Sequence, residues 1–124
     1  RYINVYESVE ERELSESIKD IWMTESASYQ FDNYSRILTV QSLVSPDAGI
    51  DTHFRYSCKP GEDDGTFTME WKGMDEANID QVRTFTVSVD EETQAMKLTD
   101  AQTQEEITLN PLAQQANQPT MSGQ

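Results

Sequence analysis

Two side chains in this sequence have the intrinsic chemistry for nucleophilic or general-base work near neutral pH, Cys58 and His53. They stand five positions apart in a stretch where apolar and polar residues alternate. An extended chain therefore sends them to opposite faces of a sheet, where they cannot meet. One histidine and one cysteine also fall short of the three or four nitrogen or sulfur ligands that zinc takes. Cys58 reads as a buried, inert thiol and His53 as a surface residue. The acidic runs Glu62-Asp63-Asp64 and Asp90-Glu91-Glu92 lack the alternating ligands and closing glutamate of an EF-hand, and read as solvated turns. Glu25 and Glu70 fall in strand-like segments out of phase with the apolar residues, so they are expected on an outer face. Glycoside hydrolysis needs two carboxylates facing each other across a cleft. No catalytic residue, metal or cofactor is expected.

Charge narrows the partners. The 124 residues hold 23 Asp and Glu against 9 Lys and Arg, a net charge of −14. The cations are scattered from Arg1 to Lys97 without a basic stripe, which excludes a nucleic-acid binder working through phosphate contacts. No apolar run approaches the ~20 residues of a membrane-spanning helix, so no transmembrane segment is expected. A chain of this length fits one domain. Only 35% of the residues are apolar, so the core must come from short patterned segments. The single cysteine forms no internal disulfide and leaves the compartment open. The chain begins with Arg1, and any secretion signal is expected to have been removed ahead of it.

Those segments have two periods. Over residues 1–21, Leu14, Ile18 and Ile21 recur at helical spacing among six acids, which predicts a helix or arm with one narrow apolar stripe. Ser15 or Ser17 is a candidate cap. From Trp22 the period drops to two. Residues 22–31 predict one strand ending at the turn Asp32-Asn33-Tyr34, and residues 35–44 a strand apolar on both faces. Beyond the turn at 45–49, Phe54, Tyr56 and Cys58 alternate with His53, Arg55 and Ser57. After the loop at 59–65, Phe67, Met69 and Trp71 share one parity. Phe85, Val87 and Val89 follow, then Met96 and Leu98, then Ile107 and Leu109. Residues 111–124 carry no charge and are expected to be a flexible tail.

Seven or eight short strands of this kind predict an all-β domain over residues 22–110. The expected form is a small antiparallel barrel closing on itself, with an open two-sheet sandwich as the alternative. Such a barrel is filled by its own side chains or keeps room for one small ligand. The tentative lining residues are Phe54, Tyr56, Phe67, Trp71 and Phe85.

The order of segments carries a resemblance. Asp20-Ile21-Trp22, Tyr29-Gln30-Phe31, Phe54-Arg55-Tyr56, Phe67-Thr68-Met69, Phe85-Thr86-Val87 and Met96-Lys97-Leu98-Thr99-Asp100 together resemble the lipocalin-like lipoproteins of Bacteroidetes, over about residues 18–110. Lipocalins place Gly-x-Trp at the closed end of the barrel, and Asp20 stands in that glycine's position. The resemblance implies an exported protein of the periplasm or outer membrane surface, tethered through a lipidated cysteine upstream of residue 1. The expected role is non-enzymatic binding of a small apolar or amphipathic molecule. The alternative is a filled barrel acting as an interaction module, which recognises a protein or glycan through loops or an exposed aromatic surface. Oligomeric state stays open.

Overall fold

A computed structural model describes residues 7–18 and 20–112. One helix, α1 (Val9–Ser17), precedes eight strands: β1 (Asp20–Met23), β2 (Ala27–Asp32), β3 (Ile37–Ser42), β4 (Asp51–Pro60), β5 (Thr66–Gly73), β6 (Val82–Val89), β7 (Met96–Asp100) and β8 (Glu106–Pro111). Each strand pairs with its neighbours in sequence, and β8 returns to β1, closing an antiparallel barrel. The closed barrel expected from the parity is present, with eight strands, and the sandwich alternative falls away.

The helix is shorter than the periodicity predicts. Ser8 caps it, not Ser15 or Ser17: its hydroxyl accepts the Glu11 N–H at 3.1 Å while the Glu11 carboxylate accepts the Ser8 N–H at 3.1 Å, a reciprocal capping box. Ile21, assigned to the helical stripe by spacing, lies in β1 instead. Between them the chain reverses at Asp20, whose φ of 82° is a conformation a glycine enters freely.

Residues 22–31 are also two strands rather than one. The Thr24 hydroxyl accepts the N–H groups of Ser26 and Ala27 at 3.2 and 3.0 Å, and the Thr24 N–H reaches the Ala27 carbonyl at 2.9 Å. A side-chain oxygen thus supplies the turn that glycine or asparagine would otherwise mark. At the far end of β3, Leu43 and Val44 leave the sheet and are exposed, so each predicted parity loses its last residue to a loop and Ile37 alone keeps the second one in the strand.

Three connections repeat one device. Asp32, Asp90 and Asp100 each accept two successive backbone N–H groups on one carboxylate oxygen, at 2.8 to 3.2 Å. The fifth residue of each turn, Arg36, Gln94 and Gln104, then takes φ of 61 to 66° and donates its N–H back to the aspartate carbonyl. The shared pattern is Asp-x-x-Ser/Thr-Arg/Gln, a turn whose left-handed residue matches the twist of the flanking strands. The β5–β6 connection is built differently: Asn78 is buried against Gly73, and a Cβ at Gly73 would collide with the Asn78 carbonyl oxygen.

Inside the ring lie Phe31, Leu38, Phe54, Tyr56, Cys58, Phe67, Met69, Trp71, Phe85, Val87, Met96, Leu98 and Leu109, closed at one end by Ile18 and Leu14 of the helical segment. Alternate residues of β4, β5 and β7 are buried in strict order. Pro111 ends β8, and the flexible tail expected beyond it falls outside the described residues after Leu112.

Relieving left-handed glutamines should stabilise the barrel. Gln94→Gly with Gln104→Gly is expected to raise stability by about 1 kcal/mol in total in urea titration, since a left-handed L-residue costs roughly 1 to 2 kcal/mol and glycine's extra unfolded freedom returns part of it. Gly73→Ala should cost about 2 kcal/mol or more, as overpacking against a fixed backbone does. An unchanged midpoint for that variant would show that the Asn78 loop yields freely.

Candidate functional site

The five residues predicted to line a ligand pocket are all inside the barrel, and Phe54, Trp71 and Phe85 among them touch. The Trp71 ring lies 5.2 Å from that of Phe54 and 4.5 Å from that of Phe85, and Phe31 meets Tyr56 edge to face at 5.1 Å. Phe85, Met69, Val87, Leu98 and Leu109 have no accessible surface, and Tyr56 and Trp71 keep 1 and 2%. A void able to hold even one water would leave accessible area on the side chains around it. The aromatic set forms packed core.

The barrel wall is incomplete at its seam. β1 and β8 pair over Trp22↔Pro111 and Met23↔Asn110, whereas β4–β5 and β5–β6 each pair over seven residues. Pro111 has no N–H, so the doubly bonded pair must be Met23 with Asn110. The register would next join Glu25 to Thr108. It does not, because β1 turns away at Thr24. A groove of about 510 Å³ opens at this place, lined by Thr24, Glu25, Ser26 and Tyr29 on one side and Glu106, Ile107, Thr108 and Asn110 on the other. Glu25 and Glu106, both exposed, are the two carboxylates of the groove.

The backbone edge in this groove can be traced. The Asp100 N–H bonds the Glu105 carbonyl at 2.8 Å, which sets the phase of the β7–β8 ladder: Glu105, Ile107 and Leu109 direct their peptide groups toward β7. Thr108 and Glu106 therefore direct theirs into the groove, where no strand among the described residues receives them. Leu43 sits alongside, its N–H on the Ser26 carbonyl at 2.8 Å, and brings exposed apolar surface to the rim.

Behind the groove, at the same end of the barrel, Arg83 lies over the Phe85 and Trp71 rings at 4.9 and 5.9 Å. Its Nε donates to buried Asp100 at 3.0 Å, and a terminal nitrogen reaches Glu105 at 3.4 Å. Backbone N–H groups of Thr103 and Gln102, and then Arg83 itself, hold the Asp100 carboxyl below its usual range. Burial raises the Tyr29 hydroxyl's pKa, opposed by the Arg83 charge.

The opposite end is shut by α1, which packs on β4. Glu7 and Arg36 form an ion pair there at 3.1 Å. Beneath it Ser15 Oγ, Arg36 Nε and the Tyr56 hydroxyl are buried with no partner among the described residues. Burial pushes the Cys58 thiol up to about 11, with Ser15 and Arg36 opposing, so the thiolate is strongly disfavoured.

The remaining candidates stay apart, as their spacing implied. His53 lies on the outer face, where Nδ1 meets Asp75 at 2.9 Å and its backbone N–H donates to the same carboxylate at 2.7 Å. That N–H, followed by the ring, lowers the Asp75 pKa. Glu70 points outward beside Lys72, at 3.9 Å. Glu25, expected on a strand, sits instead in the β1–β2 turn. Among the described residues no group of three or more His, Cys, Asp or Glu is arranged to hold a metal, and no helix is long and apolar enough to cross a membrane. Thr108 and Asn110 were not visible as site residues in the sequence, since the pairing that leaves their edge open joins segments far apart in the chain. Comparison with protein-family models, with curated proteins and with solved structures finds no match.

The raised thiol makes stability pH-dependent in a defined sense. A folded-state value of about 11 against an ordinary 9.0 means that its contribution is complete below pH 9 and is lost as pH rises toward 11. Over that interval the wild type should lose roughly 2 to 3 kcal/mol more than Cys58→Ala, measured by urea denaturation at pH 8 and 11. Parallel slopes in the two proteins would place the thiol in a wetter site.

Proposed function

We propose that this chain is a non-enzymatic binding module of the cell envelope, with a filled barrel as rigid scaffold and the seam groove as its contact surface. The carrying observation is the contrast between the two candidate places. The interior aromatic residues occupy the volume a ligand would need, while the groove joins hydroxyls, an amide, two carboxylates, Tyr29 and Ile107 around an unpaired sheet edge. Sites set on strands and a tight turn are held more precisely than sites on long loops. An apolar molecule inside the barrel, the first expectation from the sequence, would have to displace Trp71 or Phe85 from contacts at 4.5 Å. Placement in the envelope rests on the resemblance of the strand segments to the exported lipoproteins.

Amide chemical-shift mapping tests this. Dodecanoate, maltohexaose and short extended peptides are the probes. Shifts are expected at Thr24–Tyr29 and Glu106–Asn110 with one of the polar probes, and none at Met69, Val87 or Leu98 with dodecanoate. Saturable dodecanoate shifts at the interior residues would restore the internal pocket.

A further inference from the structure

Resting on the seam groove as the contact surface proposed above, we infer that it accepts an extended basic peptide segment of a partner protein, added as a strand along the free edge of β8. The backbone makes the first part of the case. Thr108 and Glu106 present N–H and C=O groups toward the groove with no strand of the described residues opposite, and unpaired edge groups of this kind template strand addition. The open edge runs from Glu106 to Leu109, about 13 Å at the usual rise per residue, before β1 covers it at Asn110.

Side-chain parity says what the added strand carries. Tyr29 and Ile107 belong to the inward parity of β2 and β8, both packed against the core cluster. Glu106 and Thr108 have the outward parity, and Glu25, exposed in the β1–β2 turn, stands across the groove from them. A strand lying between them meets Tyr29 and Ile107 with one set of alternate residues and Glu25 and Glu106 with the other. Apolar residues suit the first set and Lys or Arg the second, because opposite charges across a strand pair are favourable and like charges are not.

Charge also selects among occupants. A second copy pairing edge to edge would bring together two bodies of charge −14, and Arg83 and Lys97, at 3.4 and 3.8 Å, offset Glu105 and Glu106 only in part, so self-association is opposed. A basic strand from another protein meets attraction at both levels, weakened by salt.

The probe is an acetylated and amidated octapeptide of alternating Lys and Val, titrated into the full chain. Binding is expected to shift the Thr24–Tyr29 and Glu106–Asn110 amides and to slow hydrogen exchange at Glu106 and Thr108 at least tenfold. The same peptide with alternate backbone nitrogens methylated on its β8-facing edge should bind at least tenfold more weakly, as should the Glu-Val peptide. Thr108→Pro removes an N–H that the β7–β8 ladder does not use, on a strand edge where proline is tolerated, and should weaken binding to the same degree. If that variant fails to fold, Glu25→Lys with Glu106→Lys carries the test. Equal affinity of the methylated peptide, or maltohexaose binding at the groove while the Lys-Val peptide does not, overturns strand addition and leaves the groove as contact surface. A concentration-dependent dimer in sedimentation, abolished by Glu106→Lys with Glu105→Lys, overturns the choice of partner. Absence of groove shifts with every probe overturns both proposals.

Discussion

The space enclosed by eight strands is just wide enough for the side chains that point into it, and in this chain those side chains are large. Trp71, Phe54, Phe85, Phe67, Phe31 and Tyr56 converge from four strands with aliphatic and methionine neighbours between them. Tight contact among them supplies the apolar burial that a sequence with few hydrophobic residues must draw from somewhere. The same contact fills the space between the strands, so stability and any internal ligand would draw on one volume.

The two ends of the ring then have different tasks. At the helix end, the covering element is mostly polar and buries little besides Ser15, Leu14 and Ile18, so an ion pair between Glu7 and Arg36 and a small thiol beneath the helix complete the closure. At the other end Arg83 stacks on the aromatic core and is balanced by Asp100 and Glu105, which lets a cation finish an apolar interior without standing unpaired. The recurring aspartate turns tie these ends to the strands. Asp100 does two jobs, organising its own turn and receiving Arg83.

Much of this was legible in the chain. Phe54-x-Tyr56-x-Cys58 and Phe67-x-Met69-x-Trp71 announce their faces because alternation is a local property, and it survives folding unchanged. The β1–β2 hairpin was hidden since its turn depends on one threonine hydroxyl instead of a glycine or proline. Leu43 and Val44 misled because apolar residues at a rim follow the same alternation as apolar residues in a strand. The groove was hidden for another reason. It arises from the register between Met23 and Asn110, which lie far apart in sequence, together with the departure of β1 at Thr24, and the pairing of two distant segments has no local signature.

The narrow contact between the first and last strands has a consequence for how the molecule could be rewired. Two residue pairs hold the ring shut there, while longer ladders bind every other neighbour, so the order of the chain around the circle is enforced least where it begins and ends. A version with β1 and β8 joined by a short linker and new termini cut in the Glu62–Gly65 turn would keep all the long ladders. It would turn the seam into a covalent hairpin closed at its Trp22–Pro111 end, with the groove beyond Thr24 left as it is.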